Sequence, residues 1–118
     1  MSVPRQIAFV LYPGCLSLDV IGPMDVFHLA NRFWAREKQA RLPLYELRTY
    51  GTEDQAMSFS SGLQVVPDAS LAQLDLSTVH TLFVPGGWWP DQQADEVEQI
   101  CAVLRRAAGR VQRLASVC

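Results

Sequence analysis

Three places in this chain of 118 residues carry side chains or backbone suited to chemistry. Cys118 supplies a thiol after Leu114-Ala115-Ser116-Val117, Asp19 supplies a carboxylate shortly after Pro13-Gly14, and Pro85-Gly86-Gly87-Trp88-Trp89 gathers two glycines and two indoles. A cysteine on a sharp strand-to-helix turn presents its sulfur at a crevice, where the following amides favour thiolate or bind a developing oxyanion. Gly86 and Gly87 have no β-carbon to keep a reacting group away, so their backbone can offer a further N–H. Asp19 can hold a proton, orient a water or share a hydrogen bond with the sulfur.

Each of these residues has a plainer reading. Cys118 also fits a small, buried, inert hydrophobe. Asp19 can cap the first helix, the reading its local sequence favours. Gly86-Gly87 also fits a tight turn, and Trp88 and Trp89 suit a pocket wall or a partner-facing patch equally. Cys101 falls on the inner face of a helix and reads as core, while Cys15 reads as a loop thiol open to solvent, with nothing nearby to activate it. His28 and His80 read as structural or surface residues. Cys15, Cys101 and Cys118 are odd in number and have no paired or metal-type spacing with the histidines, so we expect no disulfide framework, no metal and no cofactor.

The elements that must position these residues follow from the apolar pattern. Gln6 to Tyr12 is a near-continuous apolar run closed by Pro13-Gly14, as in a strand buried on both faces of a parallel sheet. From Ser17 to about Arg36, Val20, Met24, Phe27, Ala30 and Trp34 recur at helical spacing, and Pro23 is predicted in the first turn of the main helix. Leu44 to Tyr50 reads as a strand ending at Gly51. Ala56 to Pro67 reads as a lateral hairpin turning at Ser60-Ser61-Gly62. Asp68 to Leu76 is predicted to be short and helical or irregular, capped by Asp68 or Ser70. Thr81 to Val84 forms another compact strand.

Asp91 to Ala108 gives the clearest helix, with Val97, Ile100, Cys101, Leu104, Ala107 and Ala108 on one face. Acids at its start, Arg105 and Arg106 near its end, and Gly109 beyond it agree with the helix dipole and a glycine stop. The strand to Cys118 follows. This order predicts an α/β fold with a doubly wound, mostly parallel sheet, whose ligand sites lie at the carboxyl ends of the strands. Three such ends carry Asp19, Gly86-Gly87 and Cys118.

Composition narrows the function classes. A formal net charge of -2, with arginines interrupted by acids and apolar residues, gives no general attraction to nucleic acid or anionic membrane. No apolar run approaches the ~20 residues that cross a bilayer, and Met1 to Gln6 lacks a secretory pattern, so a cytoplasmic protein without membrane partners is expected.

Ile7 to Gly14, Leu18-Asp19-Val20-Ile21-Gly22-Pro23-Met24-Asp25-Val26-Phe27, Val84-Pro85-Gly86-Gly87 and Leu114 to Cys118 together resemble the ThiJ/PfpI-like branch of the class I glutamine amidotransferase-like superfamily. The resemblance implies a flavodoxin-like domain over residues 1–118, ending at a nucleophile elbow at Cys118 and lacking the second half of the domain. It further implies Asp19 as the acidic partner, backbone amide donors around Gly87, and a homodimer; on the reading of the strand ends above, Gly86, Gly87 and Trp88 are the expected ligand or oxyanion contacts. A half-sheet of this kind is expected to be unstable as an isolated monomer.

Within the superfamily, Phe27-His28-Leu29-Ala30-Asn31-Arg32, Ser60 to Val65 and Arg113 to Cys118 are most similar to the amino-terminal sensor domain of AraC-type transcriptional regulators. That likeness implies a small-molecule ligand, with DNA bound only through a region not in this chain. The Asp-x-x-Gly-Pro pattern at Asp19 is also similar to isonitrile hydratases, in which the acid and the elbow cysteine serve hydration to an N-substituted formamide. A thiol-based oxidation sensor at Cys118 is a third reading.

Overall fold

The structure, a computed structural model, describes residues 3–88 and 94–118. Its frame is a five-stranded sheet of β1 (Arg5–Leu11), β2 (Tyr45–Gly51), β5 (Ala69–Ser70), β6 (Val79–Val84) and β7 (Arg113–Ser116), in the order β5-β2-β1-β6-β7. Every pairing within it is parallel. The strand from Gln6 is central because it is apolar throughout: Ile7 to Tyr12 are all at most 1% exposed.

Helix α1 (Ser17–Lys38) links β1 to β2, and α2 (Ala94–Ala107) links β6 to β7. The two crossovers run in opposite directions from the centre of the sheet, and right-handed connections therefore send the helices to opposite faces. On the α1 face, Phe9 stacks on Phe83 at 5.2 Å between ring centroids, and Phe27 of the helix meets Phe83 edge-on at 5.8 Å and Tyr45 at 4.8 Å. Helix α2 buries Ile100, Val103 and Ala107. This is the doubly wound, flavodoxin-like arrangement that the sequence predicts. The lateral hairpin is present as β3 (Met57–Ser58) and β4 (Gln64–Val65), paired antiparallel with Gly62 at φ 96° in the turn.

Several local expectations are corrected. Helix α1 starts at Ser17 and runs without a break, so Pro23 lies inside it rather than in its first turn. The proline withholds the N–H that the Asp19 carbonyl would otherwise accept. Asp68 caps no helix; its carboxylate accepts from the Thr49 N–H at 2.8 Å, beside a two-residue edge strand, β5, that composition alone did not suggest. Ser70 does cap a 3-10 turn at Leu71–Gln73, and a second turn at Leu76–Thr78 is capped by Asp75.

Cys15 is 1% exposed rather than open to solvent, Cys101 is half-buried, and Ala108 is exposed instead of joining the inner face of α2. The predicted start of that helix at Asp91 lies outside the described residues, as does Trp89. Arg113, Leu114 and Ser116 of β7, the last strand of the described residues, are exposed. No helix of the described residues is long and apolar enough to cross a membrane.

Candidate functional site

Because the strands are parallel, β1, β6 and β7 deliver their carboxyl ends side by side. The chain leaves β1 through Tyr12, turns at Pro13-Gly14 with Gly14 at φ 86°, and enters α1 after Leu16. It leaves β6 through Pro85-Gly86-Gly87, and these two exits are stitched together. The Leu16 N–H donates to the Gly86 carbonyl at 2.9 Å, and Cys15 and Gly87 form an isolated antiparallel bridge.

The peptide bond between Pro85 and Gly86 is held at both ends. The Tyr12 hydroxyl donates to the Pro85 carbonyl at 2.9 Å, and the Gly86 N–H donates to Asp19 Oδ2 at 2.9 Å. In a trans peptide these two groups point in opposite directions, so the phenol and the carboxylate fix the plane between them. Asp19 makes no cap hydrogen bond at the start of α1; it sits in the first turn, 8% exposed, and faces the loop after β6.

Cys118 joins this group through the backbone. The Val117 N–H continues the ladder to the Val84 carbonyl at 3.1 Å, which carries the chain past β7 toward Gly86. A β-carbon built on Gly86 would lie 2.9 Å from Asp19 Oδ2, 3.1 Å from the Val117 carbonyl oxygen and 3.5 Å from Cys118 Cα. Gly86 therefore occupies the gap between the carboxylate and the cysteine backbone, a gap too small for a side chain. A β-carbon on Gly87 would meet the Tyr12 hydroxyl at 2.7 Å and Cys15 Cα at 3.3 Å, so the second glycine is required by the buried layer beneath.

Asp19, Gly86 and Cys118 are thus brought together, with Gly87 packed on Tyr12 just below. Trp88 follows at 68% exposure and makes no ring contact among the described residues. The Gly86 N–H is already engaged by Asp19. Burial pushes the Cys15 thiol above its usual range, partly opposed by backbone hydrogen bonds. Burial foremost, and then the charges of Cys15 and Asp19, hold the Tyr12 phenol above the ordinary tyrosine range, which keeps it a donor.

Tyr12 is the residue that sequence reasoning missed. Its signal is faint: a hydroxyl-bearing ring ending an apolar run, directly before Pro-Gly. The described residues contain no group of three or more His, Cys, Asp or Glu side chains arranged to hold a metal ion.

The parallel sheet with a helix on each face defines the class by its fold, and comparison with known proteins agrees with it. The family model described as the DJ-1/PfpI family matches residues 5–118, so this chain belongs to the DJ-1/PfpI family.

Among solved structures, DJ-1beta of Drosophila melanogaster superposes with a TM-score of 0.75 at 21% identity, covering 98% of this chain and 56% of that one. A ThiJ/PfpI family protein from Pseudomonas syringae gives 0.73 at 22% identity, covering 98% and 43%. An AraC family transcriptional regulator from Pseudomonas putida gives 0.63 at 22% identity, covering 96% and 64%. Across these three, the chain spans about half the length of the solved relative. None of the curated proteins matches it.

Proposed function

We propose that this chain belongs to a small-molecule-sensing, amidotransferase-like domain of an AraC-type transcriptional regulator, with its ligand in the crevice among Asp19, Gly87, Trp88 and Cys118. The observation that carries the reading is the close set of Asp19, Gly86 and the Cys118 backbone at the strand ends, where a hydrogen-bonded carboxylate and a cysteine can meet one ligand. The likeness in fold to an AraC family regulator is compatible with it. DNA contact is assigned to a region beyond these residues, since their net charge of -2 gives no general attraction to nucleic acid.

Such a sensor works by coupling ligand binding to the arrangement of a dimer. The outer side of α1 supports a homodimer. Leu18, Val26, Leu29 and Phe33 are all exposed, and at about 100° per residue they fall on the side of the helix opposite Val20, Met24 and Phe27. An apolar stripe on each side of one helix needs two partners; the sheet is one, and a second copy is the other.

The test is promoter binding by the full-length protein. DNA affinity is expected to change with a candidate metabolite and to lose that response in Asp19→Ala and Cys118→Ala. A protein that binds no promoter DNA, or whose affinity no metabolite alters, would end the sensor reading.

The same geometry favours a second reading, a cysteine-dependent enzyme such as an isonitrile hydratase. Here the Cys118 S–H adds across the isonitrile carbon, a C–N π bond breaking as the proton passes to that carbon. A water oriented by Asp19 then hydrolyses the thioformimidate to the N-substituted formamide and frees the thiol. Turnover of an isonitrile by the full-length protein, lost in both substitutions, would support it. Turnover that is absent, or that survives both, would remove it.

A further inference from the structure

The opposite pole of the sheet carries a second candidate site. Where β1 and β2 begin, a cleft of about 490 Å³ opens between the C-terminal part of α1 and the connection into β2; Arg5, Trp34, Arg41, Pro43, Leu44 and Tyr45 form most of its wall. Its volume falls in the range of small-molecule sites.

Its wall is fixed by the fold. Asn31 of α1 accepts from the Tyr45 N–H at 2.9 Å and donates to the Tyr45 carbonyl at 2.8 Å, while the Arg5 N–H donates to the Leu44 carbonyl at 2.9 Å. The Tyr45 ring is further held edge-on by Phe27.

The charge around the cleft is one-sided. Among the described residues no carboxylate lines it, and the ion pair found there joins Arg105 to Glu98, so neither Arg5 nor Arg41 has an acidic partner among them. Arg5 also borders a neighbouring cleft of about 260 Å³ with His80 and Arg113. Burial first, then the charges of Arg5 and Arg113, hold the His80 imidazole below its usual range.

We propose that this cleft binds a small organic anion with a planar, apolar body, its carboxylate between the guanidinium groups of Arg5 and Arg41 and its ring against Trp34 and Tyr45. Planar guanidinium forks match a carboxylate, and the aromatic walls match a flat ring. The site is separate from the strand ends that hold Asp19 and Cys118, and it does not depend on the function proposed for them.

Titration calorimetry of the full-length protein with 2-naphthoate, and with 2-naphthalenemethanol as its neutral counterpart, tests the assignment. Saturable binding of 2-naphthoate is expected, about tenfold tighter than the alcohol and about tenfold weaker in Arg5→Gln or Arg41→Gln, the size of one lost charge-assisted hydrogen bond. Asp19→Asn is expected to leave it unchanged. Absence of saturable naphthoate binding, equal affinity for acid and alcohol, indifference to both arginine substitutions in folded variants, or loss in Asp19→Asn would each overturn the proposal. The acid-against-alcohol comparison needs no variant, so a misfolded arginine substitution leaves the test intact.

Discussion

Tyr12 and Asp19 grip one peptide bond from opposite sides, the phenol on the Pro85 carbonyl and the carboxylate on the Gly86 N–H, each at 2.9 Å. The exit from the central strand and the first turn of α1 thereby set the plane of the loop after β6. That loop, in turn, faces the backbone of Cys118. Several measurable consequences follow from this linkage.

Gly86→Ala places a methyl group 2.9 Å from Asp19 Oδ2 and 3.1 Å from the Val117 carbonyl oxygen, both below ordinary contact distance. Either the carboxylate or the chain leading to Cys118 must move. A loss of ~1–3 kcal/mol in urea unfolding of the full-length protein is expected, as for other overpacked sites. Unchanged stability would mean that the gap is looser than described.

Tyr12→Phe removes the donor and leaves the Pro85 carbonyl buried without it, at a cost of ~1–3 kcal/mol. The difference from wild type should also depend on pH. Because the folded state raises the Tyr12 pKa, the phenol contributes fully below the unfolded value of about 10, and its contribution drains as pH climbs from there toward the folded value. Urea titrations of both proteins near neutral pH and again above pH ~10 should show the wild-type advantage shrinking at the higher pH. A gap that stays constant would contradict the buried donor.

The cysteines should separate by reactivity. Cys15 is buried and bridged to Gly87, with its thiol pushed upward by burial, whereas Cys118 follows the strand end beside Gly86. Iodoacetamide at mildly alkaline pH, followed by peptide mapping, should label Cys118 and spare Cys15 while the protein is folded. Labelling of Cys15 at a rate equal to that of Cys118 would contradict the packing at the start of α1.

Phe33→Glu puts a charge on the outer apolar stripe of α1, where Phe33 is 65% exposed. It should shift sedimentation of the full-length protein from dimer toward monomer without lowering monomer stability by more than ~0.5 kcal/mol, the usual range for exposed positions. A wild-type monomer, or a variant that remains a dimer, would argue against a second copy on this face.

Much of the fold is legible in the sequence because the signals are physically strong. Six consecutive positions from Ile7 to Tyr12 are buried by strands and helices on all sides, which leaves an apolar run with no alternation. Val20, Met24 and Phe27 keep helical spacing because one side of α1 must meet the sheet. The edge strand β5 is not legible, since two residues with small side chains carry no period.

The site is half legible. Glycine pairs after a strand and a cysteine at the end of another mark the strand ends by residue type alone. The roles of Tyr12 and Asp19 depend on contacts 73 and 67 residues away in sequence, so a tyrosine reads locally as core and an aspartate as a helix cap. Cys15 reads as a loop residue because its partners Ser60 and Gly87 lie far along the chain.

The central claim is that Asp19 and Cys118 belong to one site across Gly86, and the alkylation rate of Cys118 in the full-length protein tests it most directly. Replacing Asp19 with Asn changes the partner of the Gly86 N–H, the residue that lies between Asp19 and the Cys118 backbone, so the labelling rate of Cys118 at fixed pH should change measurably. A Cys118 rate that is the same in wild type and in a folded Asp19→Asn variant would contradict the account.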